Sequence, residues 1–166
     1  MSEGNILCSW SGGKDSCYAL MQAIEEGYTA KVLLNVLNEA GKISRSHGIP
    51  KHILDQQSAA IGLPIKTISS SWQDYENNFV EALETLKKEH SISYAVFGDI
   101  DLQPHRDWEE KVCAAANITA ILPLWNENRL GLVTEFLNAG FKARVTCVDG
   151  RFLDESFVGV EFNTEY

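Results

Sequence analysis

Six consecutive residues, Ser11-Gly12-Gly13-Lys14-Asp15-Ser16, combine types that suit the binding of a charged phosphate. They follow a short apolar run, Ile6 to Trp10, and precede a pattern with Cys17, Leu20, Met21 and Ile24 at helical spacing. A strand, a turn and a helix in that order let two glycines bend the backbone so that its N–H groups face an anion. The helix amino terminus adds positive partial charge, and Lys14 supplies a mobile cation. The spacing differs from Gly-x-x-x-x-Gly-Lys-Ser/Thr and from Gly-x-Gly-x-x-Gly, which removes the main support for kinase, GTPase and dehydrogenase chemistry. Asp15 would repel a phosphate unless it held Mg²⁺ or capped a backbone N–H, and both roles remain open. A tight strand-to-helix connection with no ligand is the competing reading of the whole turn.

Further along, Gly98-Asp99-Ile100 follows the apolar stretch Tyr94 to Gly98. A carboxylate at a strand's carboxyl end can meet a metal, a ribose hydroxyl or ammonium, or can cap a turn. Arg106 offers a planar fork for a carboxylate or phosphate, with a surface ion pair to Asp107 or Glu110 as its alternative. His47 and His105 can each donate to a phosphate or protonate a departing group, but neither has metal or triad spacing, and a solvated loop histidine is the plainer reading. Trp125, in Pro123-Leu124-Trp125, either walls a cleft or enters the core, whereas Trp72 and Trp108 are expected to pack helices on a sheet. The four cysteines, Cys8, Cys17, Cys113 and Cys147, form no C-x-x-C pair and are expected as reduced, packed thiols.

The elements that must position these residues follow from periodicity. Strands are expected at Ile6–Trp10, Lys31–Leu37, Ile65–Ser69, Tyr94–Gly98 and Ala120–Pro123, with a last apolar run at Phe141–Val148. Helices are expected from the phosphate loop to Glu26-Gly27, then over Lys51–Ile61, Trp72–Glu89, Trp108–Ala116 and Arg129–Ala139. The polar stretch from Asn38 to Pro50 is long enough to be a functional loop. Strict alternation of strand and helix implies an α/β fold: a doubly wound, mainly parallel sheet with helices on both faces. With 166 residues, no repeat and no Pro- or Ser-rich linker, a single domain over 1–166 is expected. A net charge of −9 argues against nucleic acid as a partner. The absence of a leader pattern or of about 20 consecutive apolar residues leads to the expectation of a cytoplasmic protein with no membrane association.

Ser11 to Ser16 resembles the signature of PP-loop ATP pyrophosphatases. Gly98-Asp99-Ile100, Arg106, Glu109 and Cys113, Pro123-Leu124-Trp125 and Gly140-Phe141-Lys142-Ala143 are similar in order and spacing to the diphthine–ammonia ligase family over nearly the whole chain. Ser44, His47, Gln57 and the Gly62-Leu63-Pro64 turn resemble that family's segment after the second strand. The resemblance implies an adenine nucleotide alpha hydrolase-like (HUP-type) fold and an ATP-dependent ligase. ATP would adenylate a carboxylate, diphthine of elongation factor 2, with release of pyrophosphate, and ammonia would then displace AMP. ATP, Mg²⁺, ammonium and elongation factor 2 are the implied cofactors and partners. Lys14, Asp15, Asp99 and Arg106 are the catalytic candidates; Ser11, Gly12, Gly13, Lys14, Asp15, Ser16, Ser44, His47 and Gly98 are the nucleotide-binding candidates; Asp15 is the metal candidate. Family members carry a Gly-Glu-Asn-Gly-Glu-like motif beyond the point corresponding to Glu165-Tyr166, so residues from about 150 are expected to begin a shortened substrate-binding segment. A PP-loop enzyme acting on tRNA or a small carboxylate, and a non-catalytic ATP-sensing domain, are the alternatives.

Overall fold

The computed structural model describes residues 3–162; the expected segment from about 150 therefore lies outside the described residues in its last four positions. Five parallel strands, β1 (Asn5–Ser9), β2 (Thr29–Leu37), β3 (Ile65–Ser69), β4 (Tyr94–Val96) and β5 (Thr119–Ile121), form one sheet in the order β3-β2-β1-β4-β5. Between them run α1 (Lys14–Glu25), α2 (Lys51–Ile61), α3 (Tyr75–His90) and α4 (Gln103–Ala115), and α5 (Arg129–Asn138) follows β5. The chain winds from β1 outward to β3, then returns to the other side of β1 for β4. The fold is thus a doubly wound α/β sheet, and the carboxyl ends of β1 and β4 flank the crevice where the winding reverses.

Alternation along the strands separates two apolar layers. Leu7 of β1 and Val32, Leu34 and Val36 of β2 pack with Phe79, Leu83 and Leu86 of α3 and with Val112 and Cys113 of α4. The opposite register carries Cys8, whose Sγ lies 3.7 Å from the Ser16 carbonyl of α1. The chain has two compact units, one up to Trp125 and one from Asn126 onward. In the second, the Asn128 side chain caps α5 by accepting from Gly131 N at 2.9 Å, and Phe136 stacks on Phe141 at 5.2 Å. The apolar run 141–148 joins no strand of the five-stranded sheet; its backbone pairs locally, with Val145 N donating to Val160 O.

Several expectations need correction. The buried residues of α1 are Ser16, Tyr18, Ala19, Leu20 and Ala23; of the expected stripe Cys17, Leu20, Met21 and Ile24 only Leu20 is buried, and Ile24 is 43% exposed. Small side chains at spacings of three and four let this helix approach the strands closely, and that outweighs the larger apolar residues. Helix α3 starts at Tyr75, so Trp72 lies before it and is 67% exposed instead of packed between helix and sheet. Helix α4 starts at Gln103 with Pro104 in its first turn; its polar beginning hid it from an apolar-periodicity reading. Cys8 and Cys113 are buried free thiols as expected, but Cys147 is exposed.

Candidate nucleotide-binding site

The loop after β1 is held by its own hydroxyls. The Ser11 and Ser16 Oγ atoms lie 3.0 Å apart, Ser11 N donates to Ser16 Oγ at 3.3 Å, and Gly13 N donates to Ser11 Oγ at 3.2 Å. Gly13 is the N-cap of α1 and provides no side-chain cap, so the first turn keeps its positive end toward the cleft. Lys14 Nζ rests 3.0 Å from Asp15 Oδ1. That pair is half-exposed and open to exchange Asp15 for a phosphate oxygen.

Neighbouring elements fix the loop from outside. At the end of β1, Asn35 Nδ2 donates to Trp10 O at 2.7 Å. From α2, Gln57 accepts from Trp10 Nε1 at 2.8 Å and donates to Gly12 O at 3.2 Å. The 38–50 loop is folded on itself by Ser44, a buried residue whose Oγ accepts from Ile49 N at 2.9 Å. This places the His47 imidazole against Gly13, where a Cβ would stand 2.5 Å from Nε2. Burial lowers the His47 pKa, Asp15 pulls it upward and Lys14 lowers it again, so the neutral ring is favoured. His47 faces the anion cradle as a neutral hydrogen-bonding group.

Across the crevice, the chain leaves β4 through Phe97 to Gly98-Asp99. A Cβ on Gly98 would lie 2.7 Å from Ser16 N and 2.8 Å from the Asp15 carbonyl carbon, a backbone-to-backbone approach open only to glycine. Asp99 Oδ1 lies 3.0 Å from His105 Nδ1. Glu109 of α4 is 6% exposed, and its Oε1 receives no hydrogen bond. Burial, then a hydrogen bond to Asp99 and the charges of Asp99 and Glu110, push the Glu109 carboxyl up to about 10. Glu109 therefore keeps its proton near neutral pH.

Between the loop and this acidic corner lies a cleft of about 650 Å³, within the roughly 300–1,000 Å³ of small-molecule sites. Its walls include Lys14, Asp15, His47, Asp99, His105 and Glu109, together with Trp72, Tyr75, Phe79 and Trp108. Tyr75 stacks on Trp72 at 5.3 Å and on Phe79 at 6.1 Å, and Trp108 meets Phe79 at 5.2 Å. Trp108 also donates to Glu76 at 3.0 Å, so it serves both packing and the cleft. Arg45 lies 4.7 Å over the Trp72 ring and donates to Ser70 O at 2.9 Å.

Not every candidate faces this cleft. Arg106 pairs with Glu110 at 2.7 Å, one turn along α4, and lies 4.9 Å over Trp125. Neither Arg106 nor Trp125 lines the cleft. Ser44 shapes the loop that carries His47, and the neighbouring Ser46 reaches the cleft wall instead. Sequence reasoning leaves Glu109 in a motif without a role and gives Trp72 and Tyr75 to packing; the spacing of three between the two rings is the signal that could have placed them on one wall. Among the described residues no group of three or more His, Cys, Asp or Glu side chains could hold a metal. A Mg²⁺ relying on Asp15 would complete its shell with phosphate oxygens and water, as that ion commonly does.

The sequence comparisons extend over this same region. The diphthamide synthase N-terminal domain family matches residues 4–119, spanning the loop after β1, the end of β4 and α4. A Mus musculus protein named diphthine–ammonia ligase is 26% identical over 164 residues, covering 87% of this chain and 61% of the relative. The Homo sapiens protein of that name is 25% identical with the same coverage, and the Danio rerio protein is 24% identical, covering 80% of this chain and 60% of the relative. The chain spans about three fifths of the length of these curated relatives. In structure it is similar to a protein described as a predicted subunit of tRNA methyltransferase from Methanocaldococcus jannaschii, with a TM-score of 0.51 at 19% identity over 81% of this chain and 76% of that one. The U34-tRNA thiolase NcsA from Methanococcus maripaludis gives a TM-score of 0.50 at 13% identity over 82% and 57%. At these identities the structural likeness is one of fold. With 4–119 matched, a stretch that contains every strand of the sheet up to the first residue of β5 and both sides of the cleft, this chain belongs to the diphthamide synthase N-terminal domain family.

Proposed function

We propose that this chain binds ATP in the cleft between β1 and β4 and uses it to adenylate a carboxylate, which ammonia then converts to an amide. One observation carries the reading: a glycine–serine turn at the start of α1, Asp99 beyond β4 and the buried Glu109 of α4 line a single cleft of nucleotide size. In the first half-reaction a carboxylate oxygen attacks the α-phosphorus, the bond to the bridging αβ oxygen breaks, and pyrophosphate leaves. The loop N–H groups, Lys14 and the helix terminus stabilise the charge that gathers on pyrophosphate. Bound Mg²⁺, held through phosphate oxygens and Asp15, would neutralise part of that charge. In the second half-reaction the nitrogen lone pair of ammonia attacks the acyl carbon, AMP departs and one proton must be accepted.

Relatives that bear the name diphthine–ammonia ligase support diphthine of elongation factor 2 as the acceptor. The test is incubation with Mg-ATP and ammonium, with and without diphthine-bearing elongation factor 2, resolving AMP, ADP and pyrophosphate. AMP and pyrophosphate that form only with the factor are expected. ADP as the product would overturn α–β cleavage, and no AMP with the factor present would remove this acceptor. A tRNA acceptor, named for the two structural neighbours, fits less well with a net charge of −9. Retention on tRNA at moderate salt would favour it.

A further inference from the structure

Glu109 poses a physical problem that the phosphate chemistry leaves unused. It is a carboxyl more than nine-tenths buried, it lines the cleft, and its Oε1 has no donor from the protein. Such an atom is destabilising unless something supplies a hydrogen bond to it. Its partner Asp99 is also an acceptor, and Asp99 is itself contacted by His105 Nδ1 at 3.0 Å. Trp108, which precedes Glu109 on α4, lines the same cleft, as do Phe79 and Tyr75, whose rings lie 5.2 and 5.7 Å from the Trp108 ring. An unpartnered buried acceptor in a cleft that also holds the Asp99 carboxyl and several aromatic rings suits a small cation that carries several N–H donors.

We propose that Asp99 and Glu109, with the Trp108 and Phe79 rings beside them, form the ammonium-binding subsite of the cleft. The proposal rests on the ligase reading for its purpose but not for its test. Charge balance favours a monovalent ion: burial keeps Glu109 protonated, so the carboxyl pair carries no more than one negative charge, which one ammonium neutralises. A divalent metal would need both carboxylates ionised in a buried corner, and the strong upward push on Glu109 opposes that. Ammonium must lose a proton before its nitrogen can attack. That proton passes to the Asp99 carboxylate and on to the exposed His105 ring, which releases it to water; the freed lone pair then forms the C–N bond as AMP leaves, and the second proton, shed by the nitrogen in that step, follows the same route.

The test needs neither ATP nor acceptor. Thermal unfolding of the full chain is followed in ammonium chloride, sodium chloride, tetramethylammonium chloride and magnesium chloride, all at one ionic strength. The readout is the Tm increment over sodium for each protein, so each variant's own stability cancels. Wild type is expected to rise in Tm with ammonium alone. Asp99→Asn, which removes the charge, and Glu109→Met, which removes the acceptor, are expected to lose the increment, whereas Glu109→Gln keeps it because its amide reproduces the protonated acid. In turnover, Glu109→Met raises the KM for ammonium about tenfold or more, the effect of one lost charge-assisted hydrogen bond. An increment absent from wild type, one that survives in Asp99→Asn and Glu109→Met, or one produced by magnesium instead overturns the subsite. An ammonium increment in a protein that makes no AMP would sink the ligase reading and leave the subsite standing.

Discussion

Gly98 is the residue at which the two halves of the site touch. Its α-carbon faces the backbone of Asp15 and Ser16 at distances no side chain tolerates, and backbone cannot swing aside as a flexible side chain can. Gly98→Ala is therefore expected to lower stability by about 1–3 kcal/mol, read by chemical denaturation, and to lower ATP affinity with it. Lys14→Ala should do the reverse: denaturation unchanged, AMP formation suppressed; unchanged turnover would remove Lys14 from the chemistry. Glu109 predicts a pH effect of definite sign. Its carboxyl is raised from 4.5 to about 10 in the folded state, so its stabilising protonation is complete at acid pH and is lost as pH climbs through that window. Relative to Glu109→Gln, wild type should lose stability from pH 4.5 upward. Asp99, Glu110, Cys113 and Tyr75 interact with the same carboxyl, and the difference between the two proteins isolates Glu109 from them. The phosphate loop is readable from six adjacent residues because its glycines and hydroxyls act locally. Glu109, Trp72 and Tyr75 cannot be assigned to the cleft that way, because their roles arise from contacts with residues about ten or more positions away, such as Asp99 and Arg45.

Among the elements, α1 shows how sequence periodicity can identify a helix and still orient it wrongly. Two stripes compete on it, Cys17–Leu20–Met21–Ile24 and Ser16–Ala19–Leu20–Ala23, and the smaller one faces the sheet because the site requires the helix amino terminus close to β1 and β4. Ile24→Ala should change stability by no more than about 0.5 kcal/mol, whereas Ala23→Leu should cost about 1–3 kcal/mol by overpacking; equal costs would contradict the observed rotation. In α3, Leu83→Ala removes a fully buried side chain and should cost about 2–5 kcal/mol. Helix α4 carries Trp108, Glu109 and Cys113 on its inward side, but its first turn is Gln103, Pro104, His105 and Arg106. Apolar spacing cannot register a helix that begins in polar residues, and that is why the opening turn of a site-bearing helix escapes it while α2 and β3 are legible to the residue.

Over the whole molecule, nearly all buried apolar side chains lie before residue 126; after it only Leu132 and Phe136 are buried among the described residues. A fragment of residues 1–125 is expected to unfold cooperatively by denaturant with the sheet and cleft intact; non-cooperative melting would show that the fragment depends on the residues from 126 onward. Composition offers no sign of this boundary, because no Pro-, Gly- or Ser-rich stretch marks it. The alternation of strands and helices, the parallel sheet and the glycine turn between β1 and α1 follow from the amino-acid order alone, since periodicity, glycine and helix termini act within a few residues of one another. Only the tertiary structure decided that Arg106 turns to Glu110 and Trp125 rather than to the cleft, that Trp72 is an exposed cleft wall, and that Glu109 is buried against the same cleft as Asp99. Each of those outcomes depends on how closely separate elements approach and how much water they exclude, and neither quantity is written in local spacing.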